Sequence, residues 1–386
     1  MNKIVVQFDD SSFDMHKSSP FENMPYKKQL EVKDEYLKQL FKEVNYDLSQ
    51  HHIVENPSPE FYRHKVILSA VNIKKNNKFE LKLGLFIEGS KQIDPKINHH
   101  IQDKEINDAL IKIEKILLKY KIRAHNRFEP KGTLKHVLMR KSASTGKMLL
   151  VLVTQSTLLP NHKLIVKDII SECPNIMTVV QNIQDRETPV VLGDKDKILY
   201  GKGYIYDEID GIEFRIHYKS FYQVNPYQMK NLYHYALEQA NLNKNDMVVD
   251  TYSGIGTITL LASVKAKQVI GIEVNQNAVL DAKFNQVLNN IENVEFICDD
   301  VERSLVNIKQ IDTLIMDPSR DGASRNFLET VLRIKPKKIV YISCDPKTQI
   351  RDLKSLLNDY EIKSVQGFDM FSYTAHVENV VLLSLK

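Results

Sequence analysis

Met247-Val248-Val249-Asp250-Thr251-Tyr252-Ser253-Gly254-Ile255-Gly256 decides the fold. A short β-branched run ends on a carboxylate, and two glycines one residue apart then let the backbone turn tightly and approach a ligand that a Cβ would push away. Such a turn leads from a strand into a helix. Downstream the same rhythm repeats: strand-like runs at Val269–Glu273, Val294–Cys298, Thr313–Asp317 and Ile339–Ser343 alternate with helical stretches at about 257–264, 276–289, 324–333 and 347–357. This alternation predicts a parallel sheet covered by helices on both faces. Ile362–Phe368 and Val377–Leu385 follow each other with no helix between, so the last strand is expected to run antiparallel.

In such sheets ligands bind at the carboxyl ends of the parallel strands, beside the point where strand order reverses. Asp250, Glu273 and Asp317 end three of the predicted strands, and Cys344 follows another, in Ser343-Cys344-Asp345-Pro346. An antiparallel last strand begins at the same edge, which brings in Glu378. All these groups are expected on one rim. Gly254 and Gly256 lack a third glycine three residues on, where Thr259 stands, which argues against a dinucleotide cradle. The D-x-x-x-G-x-G pattern better suits the methionine end of S-adenosylmethionine, and Glu273 is placed to accept hydrogen bonds from ribose hydroxyls. Cys344 precedes a predicted helix N-terminus at Asp345-Pro346-Lys347, whose dipole and lysine are expected to lower the thiol pKa. A metal site built from Cys344, His376 and Glu378 lacks a fourth ligand at recognisable spacing, so no metal is expected.

Upstream of about residue 205 the pattern differs. Tyr26–Val44 carries Leu30, Leu37, Leu40, Phe41 and Val44 at helical spacing. Short alternating runs then dominate (His64–Val71, Phe79–Ile87, Leu134–Arg140, Met148–Thr154, Ile176–Asn182), interrupted by one helical pattern at Ile106–Tyr120. The predicted fold is α/β, with a Rossmann-like domain at 206–386, a β-rich α+β domain at 56–205, and an extension with a helix at 1–55. At 386 residues the chain has material for a core in each large part. Its 42% hydrophobic and 26% charged content is that of a globular protein. No apolar run approaches the ~18 residues that span a bilayer, and Met1–Asp10 does not read as a secretory leader. A cytoplasmic location and no membrane partner are the expectations. Three scattered cysteines, Cys173, Cys298 and Cys344, do not form a disulfide framework. Net charge is only +4, but residues 51–150 hold 20 Lys and Arg against 10 Asp and Glu. Nine of those cations fall within 119–147, a clustering that phosphate binding uses; an ordinary solvated lysine-rich face is the alternative.

Phe221-Tyr222-Gln223-Val224-Asn225, Asp250–Gly256 with Ile258, Asp317-Pro318-Ser319-Arg320, Ser343-Cys344-Asp345-Pro346 and His376-Val377-Glu378-Asn379-Val380, in this order, resemble the RNA uracil-5-methyltransferase family, which includes the tRNA and 23S rRNA 5-methyluridine enzymes. The resemblance covers residues 205–386 strongly. It extends upstream through Tyr26–Lys33 and Tyr62-Arg63-His64-Lys65. It implies a class I S-adenosylmethionine-dependent domain, with Cys344 adding to uracil C6 and Glu378 removing the C5 proton. It also implies that Gln223, Tyr252, Glu273 and Asp317 hold the cofactor together with Asp250 and the two loop glycines, and that Gln223 and Asp317 also reach the uracil. The implied partner is RNA, 23S rRNA ahead of tRNA. A non-catalytic RNA-binding or ribosome-assembly factor on the same fold, and a cytosine or adenine methyltransferase, stay open as alternatives. Many relatives carry an N-terminal barrel module and iron–sulfur cysteines before the Tyr26-type helix; His16-Lys17-Ser18-Ser19-Pro20-Phe21 has none, so no iron–sulfur cluster is expected. Ser253, Ser319 and Asp345 replace the family's usual cysteine, proline and asparagine.

Overall fold

The computed structural model describes residues 21–75, 78–87, 90, 92–125 and 131–386. Met1–Asp10 and His16–Pro20, read above for a leader and for cluster cysteines, lie outside them, as do Arg127 and Glu129. The first described element is α1 (Tyr26–Phe41), continued by a single 3-10 turn.

A seven-stranded sheet follows, built from β1 (Lys65–Lys75), β2 (Lys78–Phe86), β3 (Ile93–Asp94), β4 (Leu134–Lys141), β5 (Met148–Thr154), β6 (Ile176–Ile183) and β7 (Lys195–Tyr200) in the order β3-β2-β1-β4-β5-β6-β7. Helices α2 (Lys104–Lys119) and α3 (His162–Glu172) cover one face. The Asp103 side chain caps α2 by accepting from Ile106 N at 3.1 Å. Among the described strands of this sheet, β5 and β6 alone pair parallel, and α3 is the crossover between them. The sequence pattern did not resolve α3, because Leu164, Ile165, Val166, Ile169 and Ile170 form a nearly continuous apolar run. Every residue of β5 is buried: Met148, Leu150 and Leu152 face the helices, whereas Leu149, Val151 and Val153 enter a second core.

That second core joins the two sheets. The hairpin β8 (Tyr204–Ile209) and β9 (Ile212–His217), then α4 (Pro226–Ala240), fill the space between them with Phe214, Ile216, Met229 and Leu232. The second sheet comprises β10 (Met247–Thr251), β11 (Gln268–Glu273), β12 (Val294–Cys298), β13 (Thr313–Met316), β14 (Lys338–Ser343), β15 (Tyr360–Phe368) and β16 (Glu378–Leu385). Helices α5 (Thr257–Ser263), α6 (Gln276–Leu288), α7 (Val301–Leu305), α8 (Arg325–Ile334) and α9 (Pro346–Leu356) connect its strands. Strand order is β12-β11-β10-β13-β14-β16-β15, with β10 to β14 parallel and β16 antiparallel between β14 and β15. The Rossmann-like expectation and the antiparallel last strand are both met. Val248, Val269, Ile315 and Val340 point to the shared core, and Val249, Ile270, Leu314 and Ile339 point to the opposite face, where α1 also packs. Period-two burial on both faces is what makes these strands read as continuous apolar runs.

Helix α1 is fastened to the far end of the chain. Lys33 Nζ donates to Asp369 Oδ1 at 2.5 Å, both side chains being fully enclosed, and Tyr26 Oη donates to Asp369 Oδ2 at 2.8 Å. Asn225, the N-cap of α4, donates from Nδ2 to Met370 O at 2.9 Å. The Phe368–Tyr373 segment is thus clamped from two sides just before it leads to Glu378.

Candidate active site

The order of the second sheet reverses between β10 and β13, and the predicted rim assembles there. After β10, Tyr252 (φ 64°), Gly254 (φ 55°) and Gly256 (φ 83°) adopt left-handed backbone, which turns the chain sharply into α5. Asp250 is enclosed beneath this loop and accepts from Thr259 Oγ1 at 2.5 Å, tying β10 to α5. Burial pushes its carboxyl up to about 7, with the Thr259 hydrogen bond opposing. Glu273, at the end of β11, spans the loop from the side: Oε2 accepts from Gly254 N at 3.1 Å and Oε1 from Asn275 N at 2.8 Å.

The loop is shaped for a ligand. A Cβ on Gly254 would meet nothing within 4 Å, whereas one on Gly256 would lie 2.6 Å from Phe296 Cζ. The first glycine therefore faces open space and the second is locked against β12. Beside them Ser253 Oγ is buried without a hydrogen-bond partner among the described residues, a polar atom that a bound ligand could satisfy. Tyr252 is half-buried with its ring centroid 5.7 Å from that of Phe327; burial and the nearby Glu302, Asp300 and Asp352 raise its hydroxyl pKa. The open glycine, the orphan hydroxyl and the strand-end Glu273 fit S-adenosylmethionine.

Across the crevice, Ser343 is the partner of Asn379 in the antiparallel pair β14–β16. The pairing ends there, Cys344 and Glu378 being the adjoining residues of the two segments, close enough for the Glu378 charge to act on the thiol. Asp345 caps α9 by accepting from Lys347 N at 2.9 Å, so the predicted helix N-terminus is present. Its predicted effect on the thiol is not. Burial, then the Glu378 and Asp317 carboxylates, raise the Cys344 pKa well above its ordinary value, while Arg320 acts in the opposite sense. Reasoning from Asp345-Pro346-Lys347 alone missed the carboxylates that the fold brings from other strands. Glu378, only 4% exposed, is pushed up to about 8 by burial and then by Asp317, again with Arg320 opposing. Burial raises Asp317 to about 7. Arg320 Nη2 donates to His376 Nδ1 at 2.8 Å, so the cation that opposes both shifts is itself oriented by the imidazole. Among the described residues no group of His, Cys, Asp and Glu is arranged to hold a metal ion.

Gln223 reaches the site through a residue that sequence reading overlooked. Tyr233, on α4, hydrogen-bonds Gln223 and feels the charges of Asp317 and Glu378. The signal was present: Asn225-Pro226 is an N-cap followed by the residue best suited to a first helical turn, and Met229, Leu232, Tyr233, Ala236 and Leu237 follow at helical spacing. Arg320 was quoted within its motif without a role.

The basic segment splits up. Lys119 pairs with Asp168, Lys135 with Glu187, and Lys141 with Asp103 and Glu105, while Arg140 is buried. Lys121, Arg123, Lys131 and Lys147 remain exposed. Among the described residues, no helix is long and apolar enough to cross a membrane.

Residues 25–386 match the family model for tRNA (uracil-5-)-methyltransferase. Proteins of Oceanobacillus iheyensis and Bacillus cereus, both described as uncharacterized RNA methyltransferases, are each 39% identical, over 95% and 94% of this chain and 80% of theirs. The crystal structure of Pyrococcus abyssi tRNA (uracil-54, C5)-methyltransferase in complex with S-adenosyl-L-homocysteine superposes with a TM-score of 0.79 at 27% identity, covering 94% of this chain and 84% of that one. With a family match across nearly the whole chain and a rim shaped for S-adenosylmethionine, the chain belongs to the tRNA (uracil-5-)-methyltransferase family and is an S-adenosylmethionine-dependent RNA methyltransferase.

Proposed function

We propose that the protein methylates C5 of a uridine in RNA, with Cys344 as nucleophile and Glu378 as base. The observation that supports this reading is the β14–β16 pairing, which ends at Ser343–Asn379 with Cys344 and Glu378 the adjoining residues, near enough that the carboxylate's charge acts on the thiol. Uracil C5 is a poor nucleophile until C6 is saturated; addition of the Cys344 thiolate at C6 places electron density on C5. S-adenosylmethionine, when bound, supplies an electrophilic methyl group. Once C5 carries the methyl group, Glu378 takes the C5 proton, the C5–C6 double bond re-forms and the Cys344 sulfur leaves. Gln223, Tyr252, Glu273 and Asp317 hold the cofactor, together with Gly254, Gly256 and the Asp250 beneath them, and Gln223 and Asp317 also meet the uracil. A base within a helix cannot reach such a crevice, so the uridine is flipped out. Residues 206–386 perform transfer, and residues 56–205, with exposed Lys121, Arg123, Lys131 and Lys147, grip the flanking strand.

The sequence resemblance raises 23S rRNA first as substrate. The Pyrococcus abyssi tRNA enzyme favours tRNA as the second reading. The test uses both: the protein is incubated with methyl-labelled S-adenosylmethionine and unmodified 23S rRNA or tRNA, and each RNA is digested to nucleosides. Label is expected in 5-methyluridine from one RNA, and Cys344→Ala is expected to abolish both label and the covalent complex with 5-fluorouridine RNA. Absence of 5-methyluridine from both RNAs, with cofactor bound normally, would sink the reading.

A further inference from the structure

His376 lies two residues ahead of Glu378 and meets Arg320 in a bond of only one possible polarity. A guanidinium carries donors alone and keeps its charge at any pH a protein survives. In the 2.8 Å contact from Arg320 Nη2 the lone pair therefore belongs to His376 Nδ1. The ring proton resides on Nε2, and the imidazole is neutral. A carboxylate in its place would orient the arginine and cancel its charge; a neutral acceptor orients it and leaves the charge in force.

Arg320 is fastened at both ends. Its carbonyl oxygen accepts from Thr348 Oγ1 at 3.1 Å, and the same hydroxyl reaches Asp345 O at 3.0 Å, which ties the Arg320 backbone to the turn directly after Cys344. Its guanidinium ends on His376, at the entrance to β16. The residue thus spans from the turn of the thiol to the strand of the carboxylate. His376 is itself seated: its N donates to Thr374 Oγ1 at 3.3 Å, and its ring meets that of Phe371 edge to face at 6.3 Å. Phe371 belongs to the clamped segment described above. Around the thiol stand the carboxylates of Glu378, Asp317 and Asp345, with Arg320 the cation set against them, and Tyr233 of α4 faces Asp317 and Glu378. Coulomb attraction falls with distance and an arginine has several rotatable bonds, so one cation among these carboxylates is effective only if it is aimed.

The geometry points to His376 as a positioning residue: it holds the Arg320 guanidinium between the turn of Cys344 and the start of β16, where positive charge favours the thiolate that adds to uracil C6. The assignment rests on the reading that Cys344 is the nucleophile. His376 carries no proton in this role; the thiol proton goes to solvent. An acceptor at the place of Nδ1 is then all that the position requires, and asparagine, whose Oδ1 falls close to that place, should serve.

The test reads thiolate formation apart from methyl transfer. The full chain, free of ligand, is treated with iodoacetamide at about pH 8.5, near the ordinary thiol pKa, and peptide mass spectrometry follows Cys344 separately from the exposed Cys298. His376→Leu should slow alkylation of Cys344 about 3–10-fold, part of what an opposite charge at short range contributes, and leave Cys298 unchanged. His376→Asn should restore the rate to within about twofold. Adding His376→Leu to Arg320→Ala should slow Cys344 no further than Arg320→Ala alone, because the histidine acts through the arginine. A thermal melt checks each variant; should His376→Leu fail to fold, His376→Phe, which keeps a ring against Phe371 but has no acceptor, carries the decision. A wild-type rate in the variant without an acceptor, or a further slowing in the double variant, overturns the proposal. So does loss of 5-methyluridine formation in His376→Asn while its Cys344 alkylates normally, which would make the ring itself a proton carrier. Wild-type protein that forms no 5-methyluridine would refute the reaction, whereas alkylation still measures what His376 does for the thiol.

Discussion

Burial and the Glu378 and Asp317 carboxylates hold back the charge of the Cys344 thiol, while burial and Asp317 hold back that of Glu378, and these restraints govern the chemistry at the scale of single residues. With the thiol raised and Glu378 held at about 8, both groups are largely protonated at neutral pH. The rate of 5-methyluridine formation is therefore expected to climb with pH through about 8, and a single-turnover pH profile checks it. Arg320 is the charge that opposes both shifts, so Arg320→Ala should move the rising limb to higher pH. Glu378→Gln should let the thiolate add but prevent loss of the C5 proton, so a covalent protein–RNA adduct should accumulate with normal RNA while free product falls by about 10²-fold or more. Denaturing gel electrophoresis would show that adduct as a retarded band. The positions of these residues were legible in the sequence because each stands at a strand end. Their acidities were not, because those depend on carboxylates that meet only after β13, β14 and β16 pair.

Among the elements, the loop after β10 separates two jobs that look identical in the sequence. Gly254→Ala has room for its methyl group and should cost the fold only about 1–2 kcal/mol for its left-handed backbone, while lowering cofactor affinity by intruding on the open space. Gly256→Ala adds a collision with Phe296 to its positive φ, and should lower stability by roughly 2–4 kcal/mol. Calorimetric titration with S-adenosylhomocysteine, beside a thermal melt, distinguishes the two. The clamp on α1 gives a second test. Lys33→Met would leave Asp369 enclosed without its cation, at a cost of about 3–5 kcal/mol, and should loosen the segment leading to Glu378; a urea melt and kcat would record both effects. Strands and helices from 247 onward could be read closely, since strand and helix periods alternate there, except the single short turn of α7, which is too brief to show a period. Helix α3 and helix α4 could not: the first hides in a continuous apolar run, and the second shows only in its Asn225-Pro226 start.

For the molecule as a whole, three enclosed carboxyls are raised by folding: Asp250 and Asp317 to about 7 and Glu378 to about 8. The fold prefers their protonated forms, so their contribution to stability is complete below about pH 4, where the unfolded carboxyls also carry protons, and is lost as pH rises through 7 to 8. Melting temperature of the ligand-free protein should fall across that window. Glu378→Gln should melt higher than wild type at pH 9, with an advantage that shrinks as pH falls and disappears only below about pH 4. The α/β class, the parallel sheet and the rim were readable from the sequence. The merging of the two sheets around one core was not, because the residues on the second face of β5 look no different from those on the first.

The Lys33–Asp369 pair has a consequence in time as well as in space. Its partners are 336 residues apart, and a ribosome adding ~5–20 residues per second needs roughly 17–67 s to pass from one to the other. Throughout that interval α1 exists with its buried-to-be lysine unmatched and the second sheet lacks its inserted strand. The reaction crevice therefore closes last, after nearly everything else has been synthesised. A nascent chain can collapse its first sheet and even engage polyanions while it still has no means of transferring a methyl group.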